Sequence, residues 1–278
     1  THNEYKLKTL ICESCWLVQT QDFAEKEEFF SKNYAYFSSA SKSWLRHVKN
    51  FSEKIIHECN LNRRSFVLEI ASNDGYLLKN FVKNKLPCLG IEPTNSTAKK
   101  AEKIGIKTEK FFLIKLNAKK IIKKYPKADL VIGNNVYAHV PDINDFTSSI
   151  EMILKDDGII TLEFPHLLNL IKFTQFDTIY HEHFSYLSLN LLNKIFKKNK
   201  LKIFNVEKLS THGGSLRVYG CKGNYPKKIY NNVNKILKEE INFGLQNLKT
   251  FNQFKLKVKN IKKELNEFLK KVNFQKKR

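Results

Sequence analysis

Several familiar signals are missing or scarce in this sequence. Only five of its 49 basic residues are arginine (Arg46, Arg63, Arg64, Arg217 and Arg278), although the formal charge is +22. Readers of nucleic acid lean on the arginine fork, which grips phosphate and guanine with two bonds at once. The lysines instead sit in pairs on expected helix faces, such as Lys119-Lys120, Lys123-Lys124 and Lys197-Lys198. They read as a solvated surface, so no nucleic-acid partner is expected; a basic patch drawing in a phosphorylated substrate remains compatible with them. No apolar run approaches the ~18 residues of a membrane span, and no secretory signal opens the chain. The five cysteines are odd in number and scattered apart from one close pair. That usage fits a reducing cytoplasm better than a disulfide framework. Glycine is sparse at 10 residues, and no G-x-G-x-x-G follows an apolar strand. A dinucleotide pyrophosphate, which needs several glycines for close backbone approach, is therefore disfavoured.

What the chain does have is core-forming text: 42% hydrophobic residues and 21 phenylalanines in 278. From Ser65 onward apolar strands alternate with amphipathic helices, the pattern of a parallel α/β sheet. Strands are expected at Ser65–Ile70, Pro87–Ile91, Ile106–Thr108, Ala128–Gly133 and Ile159–Phe164, the last opened by an Asp156-Asp157-Gly158 turn. A helix at Leu189–Lys198, a strand at Leu201–Val206, a tight loop and a strand at Leu216–Cys221 then read as an antiparallel sixth and seventh pair. Residues 227–272 are lysine-rich and helical. Before the sheet, Cys12-x2-Cys15 lies between two strand-like runs. It has the shape of half a zinc knuckle and is equally compatible with a packed turn.

In such sheets ligands bind outside the carboxyl ends of the strands. The residues standing there are Glu69 with Ser72, Asn73, Asp74 and Gly75, then Glu92, then Asn134, Asn135 and His139, and finally Glu163. Glu92 follows Glu69 by 23 residues, close to the ~20 at which an acidic side chain meets ribose hydroxyls in nucleotide folds. A loop with a single glycine and several polar side chains suits a ligand with an adenosine, an amino acid and no phosphate. S-adenosylmethionine is that ligand. The stretch Phe176–Tyr186 is different in kind. Tyr180, His181, Glu182, His183 and Tyr186 fall within seven positions among apolar residues. Buried imidazoles and carboxylates destabilise a fold unless paired, and proton transfer needs such groups near the working pH. We read the stretch as an acid/base centre.

With these motifs in place the chain resembles the S-adenosylmethionine-dependent nucleotide-sugar C-methyltransferases of branched-chain deoxysugar synthesis. Seven stretches carry the resemblance in family order. They are Cys12-x2-Cys15 with Leu17-Val18-Gln19, Tyr34–Ser39, Glu69–Gly75, Gly90-Ile91-Glu92-Pro93, Asn135–Asp142, Phe176–Tyr186 and His212–Arg217. The resemblance implies a class I methyltransferase Rossmann-like sheet with an N-terminal zinc-knuckle remnant and a C-terminal helical extension. The divisions are 1–23 for a partial zinc-binding module, 24–64 for a helical aromatic linker or lid, 65–224 for the methyltransferase domain and 225–278 for the start of a C-terminal domain. The departures are the absence of a second cysteine pair, Ala71 where the family usually has glycine, and no closing α/β unit, so a fragment open at both ends is expected. The expected substrate is a nucleotide-diphosphate keto sugar, methylated through an enolate. His183 is expected as base, with Glu182 orienting an imidazole or pairing with the substrate. Tyr180 and His139 are candidates to stabilise the enolate or to act as alternative base. Tyr34, Tyr36, His212 and Arg217 are expected at the substrate, and Cys12 and Cys15 at a structural zinc. The rival readings are another methyltransferase, of a small molecule or RNA, and an inactive binding remnant.

Overall fold

A computed structural model describes residues 5–21 and 36–274. Tyr34 and the start of the linker or lid expected over 24–64 lie outside the described residues. In chain order the elements begin with β1 (Thr9–Ile11), β2 (Val18–Thr20), α1 (Lys42–Glu58), β3 (Val67–Ile70), α2 (Leu78–Lys83) and β4 (Cys88–Ile91). Next come α3 (Asn95–Lys103), β5 (Thr108–Glu109), α4 (Lys115–Lys124), β6 (Ala128–Asn134), α5 (Ile143–Ile153) and β7 (Leu154–Pro165). The rest are α6 (Leu167–Lys172), β8 (Ser185–Tyr186), α7 (Leu189–Lys198), β9 (Leu201–Leu209), β10 (Ser215–Lys222), α8 (Asn231–Phe243) and α9 (Leu248–Phe274).

Seven strands form one sheet in the order β5-β4-β3-β6-β7-β10-β9. The five from β5 to β7 are parallel, while β10 runs antiparallel to both its neighbours. This is the class I methyltransferase arrangement. Strand parity sorts the core, because successive side chains point to opposite faces. Leu68 and Ile70 of β3 and Val131 of β6 join one cluster with α4, α5 and α7. Val67, Leu130, Ile132, Tyr219 and Cys221 join the other with α1, α2 and α3. By the same parity Glu69, Glu163 and Arg217 point toward α1.

α1 starts where the Ser41 hydroxyl accepts the Trp44 amide, a side-chain cap. It buries Val48, Phe51 and Ile55 on one stripe, and each such side chain contributes about 1.5–3 kcal/mol on leaving water. Gly75 is fixed by two constraints. Its φ is +78°, and a Cβ there would stand 2.4 Å from Ile106 Cδ1. The expected Asp156-Asp157-Gly158 turn is instead part of β7. The strand pairs Leu154 with Ala128, shifts register, and resumes with Ile159 opposite Leu130. Lys155 and Lys222 pair with Asp129 and Asp156, so these charges anchor the irregular stretch instead of opening a loop. The helical region after residue 227 divides at Gly244, whose φ of +89° ends α8 as a left-handed cap.

A separate antiparallel sheet orders β1-β2-β8. It carries the acid/base stretch. Val18 and Gln19 pair with Tyr186 and Ser185, the Thr20 amide donates to the Phe184 carbonyl (3.1 Å), and the Thr20 hydroxyl donates to the His183 carbonyl (2.8 Å).

Candidate active site

A cavity of about 990 Å³ opens at the carboxyl ends of the strands, beside the β3/β6 junction where strand order reverses. That crevice is where open α/β sheets bind ligands, and the volume is near the top of the ~300–1,000 Å³ usual for small-molecule sites.

On the β3/β4 side, Asn73, Glu92, Asn134 and Asn135 line the cavity. Glu92 is buried and holds the two loops together: one carboxylate oxygen accepts the Asn73 amide and the other the Thr94 amide, each at 2.9 Å. Its remaining lone pairs can accept hydroxyls. Ile91, Pro93 and the run Phe111–Ile114 supply an apolar wall next to it. Ala71, Asn73 and Asn135 all adopt left-handed backbone, with φ of 55°, 47° and 53°. Such strain clusters at binding loops. Glu69, Ser72, Asp74 and Gly75 lie behind these loops and are not part of the cavity lining. Glu69 is fully buried, and burial raises its pKa well above the usual carboxylate range, against some relief from the Tyr76 hydroxyl. The Ser39 hydroxyl bonds Asp74 and the Ser38 amide bonds Asn73, so the strap before α1 is tied to this loop.

Both side-chain polar atoms of Asn134 and Oδ1 of Asn135 are buried at the cavity wall without hydrogen-bond partners among the described residues. Orphaned polar atoms gathered at a strand-end crevice call for a polar ligand. Glu92 as hydroxyl acceptor, the apolar wall and these amides together fit an adenosyl amino acid.

Tyr180, Glu182, His183 and His139 line the same cavity. His183 Nδ1 is 3.0 Å from the Thr178 carbonyl, which can only accept, so Nδ1 carries the proton. Nε2 then presents a lone pair, and the Tyr180 hydroxyl donates to it at 2.8 Å. Burial, with His139 adding repulsion, lowers the His183 pKa to about 4. Burial pushes the Tyr180 phenol up to about 12, so it stays a donor. His139 stands edge-on to His183, with ring centroids 4.7 Å apart. Its Nδ1 donates to the Glu182 carbonyl at 2.8 Å, and burial lowers its pKa. Burial raises the Glu182 pKa. His181 packs against Tyr5 with ring centroids 6.3 Å apart and is not part of the cavity lining.

The third wall comes from α1 and the β7/β10 pair. Tyr36 and His212 line the cavity, as expected, together with Trp44, His47, Tyr76 and Thr211, which sequence reasoning did not single out. Arg217 does not line it. Arg217 lies directly opposite Glu163 in the β10/β7 register, donates to its carboxylate at 2.6 Å and stacks over the Phe51 ring at 4.2 Å. Burial presses the Glu163 pKa up, but bonds from His47 and Arg217 outweigh it and hold the group below the usual range. Parity could have pointed Glu163 and Arg217 to one face; only the folded register sets them opposite each other.

Cys12 and Cys15 stand at one turn, closed by Trp16 N to Cys12 O at 2.8 Å. The Cys15 amide lowers the Cys12 pKa, while burial raises that of Cys15. Among the described residues no group of three or more His, Cys, Asp or Glu could hold a metal ion. The described residues thus do not fit a closed zinc site, and the zinc expectation gains no support. Among them, too, no helix is long and apolar enough to cross a membrane.

The sheet order and strand-end cavity define a class I methyltransferase fold. Residues 40–206 match the methyltransferase domain family, and residues 210–278 match the C-methyltransferase C-terminal domain family. The chain belongs to the methyltransferase domain family. It is 28% identical over 268 residues to the C-methyltransferase NovU of Streptomyces niveus, an alignment covering 96% of this chain and 64% of NovU. The chain thus spans less than two thirds of that relative's length. Among solved structures, magnesium protoporphyrin IX methyltransferase (ChlM) of Synechocystis PCC 6803 with bound SAH superposes with a TM-score of 0.52 at 14% identity, over 70% of this chain and 92% of that one. An S-adenosylmethionine-dependent methyltransferase of Clostridium acetobutylicum ATCC 824 gives 0.53 at 13% identity, over 65% and 92%. These likenesses show the fold.

Proposed function

We propose that this chain carries out an S-adenosylmethionine-dependent C-methylation, at the carbon next to the ketone of a nucleotide-diphosphate keto-deoxysugar. The observation that carries the reading is the Tyr180–His183 pair, a neutral imidazole with its lone pair turned to a phenol, on the same cavity as Glu92 and Asn134. The likeness to NovU supports carbon as the methyl acceptor. Glu92 would accept the ribose hydroxyls, Asn134 and Asn135 would bond the amino-acid end, and the Phe111–Ile114 run would cover the base. When bound, S-adenosylmethionine supplies an electrophilic methyl group.

The residues divide the proton work. His183 Nε2 takes the proton from the carbon beside the ketone; its low pKa keeps it unprotonated at neutral pH. That same low value makes it a weak base until negative charge develops beside it, which raises its proton affinity as the enolate forms. Tyr180 moves its hydroxyl from Nε2 to the enolate oxygen, where a phenol held neutral is an effective donor. His139 likewise donates its Nδ1 proton to the Glu182 carbonyl, which leaves its Nε2 with the lone pair, so it packs edge-on against His183 and stands as the alternative base.

The test is to incubate the protein in deuterium oxide with S-adenosylmethionine and a panel of nucleotide keto sugars, reading products by mass spectrometry. One member should gain one methyl group and, without the methyl donor, exchange one carbon-bound hydrogen. His183→Ala should abolish both. Methylation of RNA instead of any sugar, or S-adenosylmethionine binding with no methylation, would overturn the reading.

A further inference from the structure

The proton-handling groups of the reading above occupy one part of the cavity, while a second polar cluster stands unused on the wall formed by α1, β7 and β10. His47 Nε2 is 3.0 Å and 2.9 Å from the two carboxylate oxygens of Glu163. The Arg217 guanidinium reaches the same carboxylate at 2.6 Å and Nε2 at 2.8 Å. Nε2 cannot serve both neighbours. A lone pair there would face two carboxylate oxygens, whereas a proton there meets two acceptors at the expense of one crowded donor. Nε2 is therefore the protonated nitrogen, and the carboxylate gathers donors from His47, Arg217 and the Thr211 hydroxyl (3.0 Å). The imidazole also lies against the Trp44 indole, centroids 4.9 Å apart and planes 20° off parallel. His47 is thus fixed in tautomer and in plane. Its Nδ1 makes no hydrogen bond among the described residues, and the ring lines the cavity.

A fixed imidazole with one nitrogen held from behind presents its other nitrogen to the cavity. Beside it the Trp44 indole supplies an apolar surface of the kind that packs against the C–H face of a sugar ring. We propose that His47 is a further substrate-contacting residue, whose Nδ1 hydrogen-bonds a hydroxyl of the acceptor substrate, with Glu163 and Arg217 as positioning residues acting through it. The proposal rests on the keto-sugar reading and narrows it to an acceptor that keeps a free hydroxyl. The groups facing His47 are Glu163 and Arg217 from the sheet, Trp44 from its own helix and His212 from the loop before β10, whose ring meets Trp44 edge-on at 5.3 Å.

Two substitutions separate the ring's nitrogens. Glutamine places its amide near the former Nε2 and so keeps the bond to Glu163 while losing the polar group at Nδ1; asparagine places its amide near Nδ1. His47→Gln should raise KM for the keto sugar about tenfold, the loss of one neutral hydrogen bond. It should leave kcat within about twofold and the Kd for S-adenosylmethionine unchanged. His47→Asn, which regains a polar group at Nδ1 but loses the bond to Glu163, should recover part of the lost affinity. An unchanged KM in His47→Gln, or an equal loss of affinity for both ligands, overturns the role of His47 alone, because the wild-type protein would still methylate the sugar. Wild-type protein that binds S-adenosylmethionine but methylates no keto sugar overturns the substrate reading, and this inference with it.

Discussion

Replacing His183 with glutamine should remove about 1–2 kcal/mol from the acid sensitivity of folding between pH 7 and pH 5. The folded His183 binds its proton with a pKa of about 4, against an ordinary value of 6.5. Below pH 6.5 the unfolded chain therefore takes up a proton that the folded chain refuses. Stability is intact above 6.5, falls as the pH drops, and finishes falling near 4. The full gap corresponds to about 3 kcal/mol, of which about 2 kcal/mol has appeared by pH 5. Water reaching the ring at the cavity mouth trims that figure. His139 and His212 are shifted down for the same reason, burial, and add to the fall in both proteins. Only the His183 share disappears in the variant. Glutamine keeps an acceptor for the Tyr180 hydroxyl, so the comparison is not confounded by an orphaned phenol. Urea unfolding of both proteins at the two pH values measures the difference directly. Equal losses in wild type and variant would refute the argument, since they would mean that His183 titrates like a solvated imidazole. Its readiness to act as an unprotonated base well below neutrality would fall with it.

Glu240 should be the costliest single carboxylate to remove. It is buried on α8 and accepts the Leu189 amide (2.6 Å), the Asn190 amide (2.9 Å) and His166 Nε2 (2.7 Å), capping α7 from another element. Glu240→Ala should cost about 3–5 kcal/mol and lower Tm by about 10 °C, with Glu240→Gln losing clearly less; equal melting of all three proteins would show that α8 is not latched here. Glu92→Ala should weaken S-adenosylmethionine binding about 10- to 100-fold, because it removes both the acceptor and the brace under Asn73 and Thr94. Calorimetric titration that finds affinity within about twofold of wild type would take Glu92 out of the cofactor site.

The fold was legible wherever a single strand or helix carries its own signal. α7 runs from Leu189 to Lys198, the range its apolar stripe and lysine ending announce. The parallel strands end within a residue or two of the positions their apolar runs mark, because a strand buried on both faces must be apolar throughout. The signal failed where two segments decide the matter together. Asp156-Asp157-Gly158 has the composition of a turn, yet it continues β7 because Lys222 and Lys155 hold its charged neighbourhood against adjacent strands. Gly158 also leaves room for the Ala128 carbonyl, which a Cβ would approach to 2.8 Å. Lysine-rich text after residue 227 gave a helix but not its break, since one glycine in a helical pattern is compatible with either outcome.

The same distinction divides the site. Tyr180, Glu182, His183 and His139 could be picked out because three of them are neighbours in sequence and the fourth follows a recognisable strand. Arg217 was found by its motif, but its guanidinium faces Glu163 rather than the cavity. That placement follows from the antiparallel register of β7 and β10, in which each is the other's direct partner. No periodicity within either strand encodes that register. His47 was harder still: on its helix it is one polar residue among several, beside Arg46 and one position before the buried Val48, and such a residue is ordinarily a solvated edge. What makes it more than that is Glu163, 116 positions away, anchored by Arg217, 170 positions from His47. A cluster written in consecutive residues is therefore visible before folding, whereas one assembled from three elements emerges only with the sheet. On the assignments proposed above, relatives sharing the Tyr180–His183 stretch can differ at position 47 and keep the base, and differences in acceptor choice should be sought first on the α1 wall.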